Sequence, residues 1–304
     1  MSPSSTPAAP VRHRDRRTGE VVEEPIFAEA TLRWLYEAPL GRITFRWLLN
    51  NKLFCALYGM RMDAPWSRRL IAPFISRFAI DMAEAERPAE AYRHFNDFFT
   101  RRLRPGARRW PTEPGRLGSP GDGKLLVYPR LAADTRLPIK GTACSPAGLL
   151  ASDEEAAAFA GGAALVLRLA PPDYHRFHFP DGGTVGPTRD VPGGYDSVNP
   201  IALARVPDVF CRNKRAVTYL DSDHFGRVAI VEVGAITIGA IVQTCRPGRV
   251  ARGDEKGLFR YGGSTVVLLF EPGRIGFDAD LVAEAEAGLE VRVQAGDGIG
   301  RSLA

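Results

Sequence analysis

Val228-Ala229-Ile230-Val231-Glu232-Val233-Gly234-Ala235-Ile236-Thr237-Ile238-Gly239-Ala240-Ile241-Val242 is the longest apolar run in the chain. A helix crossing a bilayer needs ~20 such residues, so this run is too short to span one. It is rich in β-branched residues and interrupted by Glu232, a texture that reads as two buried strands, 228–233 and 236–242. Working outward, similar short runs recur after Arg116 between Gly, Pro and Asp turns, at 125–128, 165–169, 216–220, 265–270 and 289–293. Many short strands with frequent turn signals predict a β-sandwich or barrel rather than a βαβ sheet. Residues 146–160 are expected to add one short helix.

Upstream of Arg116 the period changes. Leu70, Ile71, Phe74, Ile75 and Phe78 recur at three-and-four spacing, and so do Tyr92, Phe95, Phe99 and Leu103, with Pro88 before and Pro105 beyond. A third helical stretch, 40–58, carries Trp47, Leu48, Leu53 and Phe54 beside Arg42, Arg46 and Lys52. Large apolar residues mixed with arginine suit helices lying in a membrane interface, where aromatics enter the headgroup layer and cations meet phosphate. The plainer alternative packs each apolar face on the rest of the protein. At least one of the three is expected to touch membrane. The first 22 residues are polar, basic and Pro/Ser-containing and read as a disordered tail.

The expected organisation is therefore α+β: a basic tail (1–22), a helical membrane-associating region (23–115) and a mostly β catalytic domain (116–304). Its 304 residues, 45% hydrophobic and 25% charged, are ordinary for a globular chain. A net charge of +5 points to an anionic partner without choosing nucleic acid, metabolite or lipid. The four cysteines form no C-x-x-C pair, so reduced thiols are expected, with no structural zinc and no disulfide framework. The first twenty residues hold no apolar segment of the kind a secretory signal needs.

Three segments carry candidate chemistry. Ser119-Pro120-Gly121-Asp122-Gly123 holds an acid in a tight turn, and by itself is an ordinary Asp-Gly turn. Asp173-Tyr174-His175-Arg176-Phe177-His178 places two of the five histidines three apart. With no further ligands nearby, general acid–base work suits them better than metal binding. Tyr261-Gly262-Gly263-Ser264-Thr265 leads into an apolar strand, and its two glycines permit a strained backbone with an open Gly263 carbonyl.

Taken together and in order, these segments resemble the phosphatidylserine decarboxylases, with the likeness running from about Thr18 to Phe270. Further matches are Arg33-Trp34-Leu35-Tyr36-Glu37, Phe95-Asn96-Asp97-Phe98-Phe99-Thr100-Arg101-Arg102-Leu103, Arg104-Pro105-Gly106-Ala107-Arg108 and Lys140-Gly141. So are Ser197-Val198-Asn199-Pro200, Asn213-Lys214-Arg215 and Val233-Gly234-Ala235. The first of these is similar to the bacterial subgroup with a longer helical preface. Gly262 stands where many members have leucine, and Lys214 where some have glutamate.

The resemblance implies a self-made cofactor. Asp122 orients His178, His178 takes the Ser264 hydroxyl proton, and Ser264 attacks the carbonyl of Gly263. The ester that replaces the amide is eliminated and hydrolysed. This leaves a β chain (1–263) and an α chain (264–304) that opens with a covalent pyruvoyl group and stays bound as a heterodimer able to assemble further. That group forms a Schiff base with the substrate amine and accepts the electrons released with carbon dioxide, as pyridoxal phosphate would. His175 is the expected proton donor in decarboxylation. No metal, no pyridoxal phosphate and no nucleic acid is implied. The expected partners are phosphatidylserine and an anionic membrane surface, met peripherally on the cytoplasmic face of the cell membrane. Two other readings stay open on the residues alone: a pyruvoyl decarboxylase of a soluble amino acid, and a histidine phosphocarrier that needs neither Ser264 nor its glycines.

Overall fold

The computed structural model describes residues 11–303, apart from Phe27, 132–136, 140–141, Pro207, 236–240 and Gly263. The strands in chain order are β1 (Arg12–Asp15), β2 (Val21–Glu23), β3 (Arg116–Gly118), β4 (Gly123–Tyr128), β5 (Leu137–Ile139) and β6 (Thr142–Cys144). They continue with β7 (Ala163–Leu169), β8 (Arg176–His178), β9 (Gly183–Val185), β10 (Arg189–Val191), β11 (Arg215–Ser222), β12 (Gly226–Val233) and β13 (Ile241–Gln243). The last six are β14 (Gly248–Val250), β15 (Glu255–Phe259), β16 (Ser264–Phe270), β17 (Ile275–Phe277), β18 (Glu290–Val293) and β19 (Gly298–Ser302).

One large mixed sheet organises the chain, in the order β14-β9-β11-β12-β16-β7-β4-β18-β1-β2, with β10 added beside β11. Its pairings are antiparallel except β1 with β18. Both faces are covered. On one face Leu167, Leu268 and Ile230 pack against Phe177, Phe259, Leu117 and Ile299, contributed by two three-stranded sheets, β13-β15-β8 and β17-β19-β3. On the other, Val166, Val267 and Val231 meet Leu149, Leu203 and Phe210 from short helices. Burial on two sides explains why β7 and β16 read as unbroken apolar runs rather than alternating ones. The sandwich or barrel expectation is corrected accordingly: a single wide sheet lies between a β layer and a helical layer.

The helices are α1 (Glu29–Glu37), α2 (Pro39–Thr44), α3 (Lys52–Asp63), α4 (Ile71–Phe78), α5 (Phe95–Phe99), α6 (Pro146–Leu150), α7 (Asp153–Ala157), α8 (Pro200–Leu203), α9 (Val209–Arg212) and α10 (Ala279–Glu286). The expected 40–58 helix breaks at a π-helical turn, Phe45–Leu49, and restarts where Asn51 caps the Phe54 amide. The expected 92–103 helix shrinks to α5, because Leu103 bridges back to Ala85 instead of continuing the turn. Two helices, α6 and α7, occupy 146–160, each capped by a serine.

Two further expectations are overturned. Residues 12–23 are an edge hairpin rather than part of a disordered tail, because β18 offers an open edge to β1. Cys144 and Cys211, 67 residues apart, are joined by a disulfide that ties β6 to α9; Cys55, buried, and Cys245, half-buried, lie outside that bond. Of the expected second strand, 236–242, only Ile241 and Val242 lie within the described residues, in β13.

Arg168 on β7 is buried between Glu24, just beyond β2, and Glu290 on β18, and it closes this edge of the sheet. Burial alone raises the Glu24 carboxyl, but the charge and hydrogen bonds of Arg168 outweigh it and hold the pKa down to about 2. A depressed carboxylate adds stability that is complete above its unfolded value of 4.5 and lost as pH falls towards 2. Urea midpoints are therefore expected to drop between these pH values. The drop should be shallower in Glu24→Gln, and equal slopes would refute the assignment.

Candidate active site

Ser264 opens β16, and Leu169, its partner, closes β7. On the next strand Lys124 faces Arg168, which puts Gly123 and Asp122 at the same end of the sheet. Gly123 has to be glycine there, since a Cβ would sit 2.6 Å from the Arg168 carbonyl oxygen. The histidine segment joins them from the covering layer, where the His178 amide donates to the Pro120 oxygen at 2.8 Å. The three segments singled out in the sequence thus converge, although they lie on β4, β8 and β16.

Their side chains are partnered differently from the expected triad. Ser264 is fully buried, and its Oγ has no hydrogen-bond partner. Asp122 accepts from Arg108 Nε at 2.9 Å and Nη2 at 2.6 Å, and from the Ala295 amide at 2.9 Å. His178 Nδ1 donates to the Gly253 carbonyl at 3.0 Å, which leaves Nε2 to accept from the Tyr174 hydroxyl at 3.2 Å. The expected Asp122–His178 hydrogen bond is thus replaced: Gly253 orients the imidazole, and Arg108 takes the carboxylate. Burial lowers the His178 pKa, opposed by the Gly253 hydrogen bond and by the charges of Glu255 and Asp122. A neutral imidazole with Nε2 as its basic nitrogen is the outcome.

His175 is completely buried and stacks on Phe99 with ring centroids 3.9 Å apart. Its Nε2 donates to the Ala170 oxygen at 3.1 Å and the Pro171 oxygen at 3.3 Å, while Nδ1 has no partner. Burial pushes its pKa down to about 3. Phe99 also meets Tyr261 edge-on, and the Tyr261 amide donates to Asn96 Oδ1 at 3.0 Å. The Phe95–Leu103 segment therefore holds both the turn before Ser264 and His175, a task its sequence pattern did not reveal. Gly262 has φ 139°, a conformation that side-chain-bearing residues rarely adopt, and Gly263 lies outside the described residues.

A cavity of about 240 Å³ lies against this turn. Tyr261, Gly262, Ala170 and Pro171 form one wall; Ser197, Val198 and Asn199 form another; Leu32, Leu35, Phe54 and Tyr58 from α1 and α3 supply an apolar side. Tyr36 Oη accepts from the Ser197 amide at 2.7 Å. Asn213, fully buried, donates to the Asp196 and Gly234 oxygens at 2.7 and 2.8 Å. The Ser197, Asn213 and Gly234 motifs are thus one hydrogen-bonded frame behind the cavity. Lys140-Gly141 lies outside the described residues. Among the residues missed in the sequence were Arg108, Gly253 and Trp110, whose ring lies 5.6 Å from His178. Only Arg108 sat within a recognised motif.

No helix among the described residues is long and apolar enough to cross a membrane. The sequence profile described as phosphatidylserine decarboxylase matches residues 95–301. The chain is 40% identical to a phosphatidylserine decarboxylase proenzyme of Ruminiclostridium cellulolyticum, over 95% of this chain and 97% of the relative. Proenzymes of the same description from Desulfitobacterium hafniense and Clostridium beijerinckii are 41% and 42% identical, each over 95% of this chain and 98% of the relative. On this nearly full-length likeness, the chain belongs to the phosphatidylserine decarboxylase family.

Proposed function

We propose that the chain is a proenzyme that cuts itself between Gly263 and Ser264 and then decarboxylates phosphatidylserine to phosphatidylethanolamine at a membrane surface. The observation that carries this reading is the Ser264 hydroxyl, fully buried without a partner behind a Gly262 of positive φ. Keeping an unpaired hydroxyl in a core costs about 1–3 kcal/mol, which a merely structural serine would not repay. A residue about to be consumed fits that position, as a pyruvoyl group derived from Ser264 requires.

In self-cleavage Ser264 Oγ attacks the Gly263 carbonyl carbon, and its proton passes to His178 Nε2 once Tyr174 releases that nitrogen. The amide becomes an ester; elimination and hydrolysis then release ammonia and leave chains 1–263 and 264–304. Asp122 acts on His178 through its charge, held in place by Arg108. The apolar strand β16, hydrogen-bonded between β12 and β7, keeps the small chain bound. The pyruvoyl group supplies a ketone that captures the substrate amine and takes up the electron pair freed with carbon dioxide.

His175 is the proposed proton source for the decarboxylated carbon. Its Nε2–H is committed to two carbonyls, so the proton travels through Nδ1, and the anionic substrate must raise the buried imidazole's basicity on binding. His175→Ala should still cleave, more slowly, and lose decarboxylation by roughly 10²–10⁴-fold. Full turnover in that variant would remove His175 from the reaction.

The helices α1 to α3 support membrane docking. Leu40, Trp47 and Leu53 are 66%, 75% and 68% exposed, and Arg42, Arg46 and Lys52 are exposed beside them. The same helices wall the cavity, so a lipid leaving the bilayer would meet the reactive turn. Trp47→Glu with Leu53→Glu should weaken binding to phosphatidylserine vesicles at least ~10-fold, since each buried side chain contributes ~1.5–3 kcal/mol. Unchanged vesicle sedimentation would exclude this face.

Two measurements test the central reading. Purified protein should resolve into two chains on a denaturing gel, with the small chain blocked to N-terminal sequencing. It should release carbon dioxide from phosphatidylserine vesicles and not from free aromatic amino acids; turnover of the amino acids alone would replace the substrate with a soluble one.

A further inference from the structure

The hairpin β1–β2 has no apolar face to fasten it: of the side chains in its two strands only His13 is buried. Its attachments are ionic, and they converge. Arg14 pairs with Glu284, and Arg16 donates to Asp278 Oδ2, Asp280 Oδ2 and the Gly298 oxygen, each at 2.7 Å. Arg292 Nη1 donates to Asp15 Oδ2 at 3.1 Å, and Arg17 Nη2 lies 3.7 Å from Asp297 Oδ1. Among the described residues, every side-chain partner that 14–17 find outside the hairpin falls within 278–298.

That stretch spans α10, β18 and the turn 294–297. It meets three arginines with the carboxylates of Asp278, Asp280, Glu284 and Asp297. A lone exposed ion pair contributes little, but several on one partner form a network and select that partner by charge. The same stretch reaches the site. The Ala295 amide donates to Asp122 Oδ1 at 2.9 Å, the Gly296 amide to the Ser119 oxygen at 3.0 Å, and the Ser119 amide to the Asp297 oxygen at 2.8 Å. The turn therefore brackets the loop that carries Asp122. The hairpin holds the turn at both ends: the Arg16 amide donates to the Arg292 oxygen at 3.3 Å, and the Arg16 side chain to Gly298.

We propose that the hairpin β1–β2 is a clasp for the acidic segment 278–298 and keeps the 294–297 turn on the Asp122 loop. In one respect this rests on the self-cleavage reading: once the chain is cut after Gly263, that segment belongs to the small chain, and the hairpin becomes the large chain's ionic grip on it. The buried strand β16 anchors one end of the small chain, and the clasp secures the other. On its inner side β18 pairs with β4, and Asp278 is shared with Arg116 of β3, so the clasp is one of several holds on this segment.

Hydrogen exchange of the intact Ser264→Ala chain, read by mass spectrometry, tests the clasp without any cleavage. With Arg14→Ala and Arg16→Ala added, peptides covering 290–298 should exchange about ten-fold faster, while those from β7 and β12 keep their protection. Exchanging one pair, Arg14→Glu with Glu284→Arg, should leave 290–298 better protected than Arg14→Glu alone. Unchanged exchange at 290–298 overturns the proposal, and so does equal acceleration in β7 and β12, which marks a general loss of stability. In the chain that keeps Ser264, the double arginine variant should release the small chain on gel filtration at a lower urea concentration than the parent. Equal release points overturn the grip. A failed self-cleavage reading shows separately, as a single chain on a denaturing gel, and the exchange result then decides the clasp alone.

Discussion

Ser264→Ala is expected to yield one uncut chain with decarboxylation reduced by at least ~10⁴-fold, the scale of loss when a nucleophile is removed. The argument is geometric. Successive side chains on a strand point to opposite faces, so Thr265 Oγ1, although also buried and unpartnered, faces the helical layer with Val267. Ser264 shares its face with Val266 and Leu268, under the β13-β15-β8 layer, whose strand β8 ends on His178 and follows directly on His175. No neighbouring hydroxyl can take its place. The substitution also deletes a polar atom that had nothing to bond with, so the fold should keep its stability or gain slightly. A stable, uncut, inactive variant separates chemistry from folding. Two chains on a denaturing gel from Ser264→Ala would end the proposed mechanism.

The largest effect on stability is expected from Lys256→Met. Lys256 on β15 reaches Glu232 on β12, with Nζ 2.7 Å from Oε1 and side-chain exposures of 2% and 0%. It also donates to Thr218 Oγ1 at 3.0 Å and Gln243 Oε1 at 2.8 Å. Removing the cation strands a carboxylate in the core, where burial already raises its pKa, and should cost about 3–5 kcal/mol. Replacing both partners, Lys256→Met with Glu232→Leu, should recover most of that loss, since the isolated charge disappears. The pair joins the layer bearing His178 to the sheet bearing Ser264, so the single variant should also self-cleave more slowly. Urea denaturation decides the matter: a Lys256→Met chain as stable as its parent would show that Glu232 is compensated elsewhere.

The strands now seen as β4, β7, β11, β12, β16 and β18 were legible because each is a short apolar, β-branched run between turn residues. The hairpin β1–β2 was not, since Arg12-His13-Arg14-Asp15 has no apolar period and forms only because an open sheet edge supplies partners. Leu103 carried the helical spacing but was claimed by a bridge to Ala85, a tertiary pairing that overrides a local preference. The Cys144–Cys211 bond escaped for a similar reason: proximity across 67 residues leaves no mark in spacing.

At the site, the amino-acid sequence by itself determined which groups are candidates for the chemistry, because an acid in a tight turn, two histidines and a serine behind two glycines are properties of local composition. Only the tertiary structure decided who partners whom. Asp122 went to Arg108, and His178 to Gly253 and Tyr174. Hydrogen bonds act over about 3 Å between residues that lie 4 to 75 positions apart, and periodicity along a chain holds no record of which of them will meet.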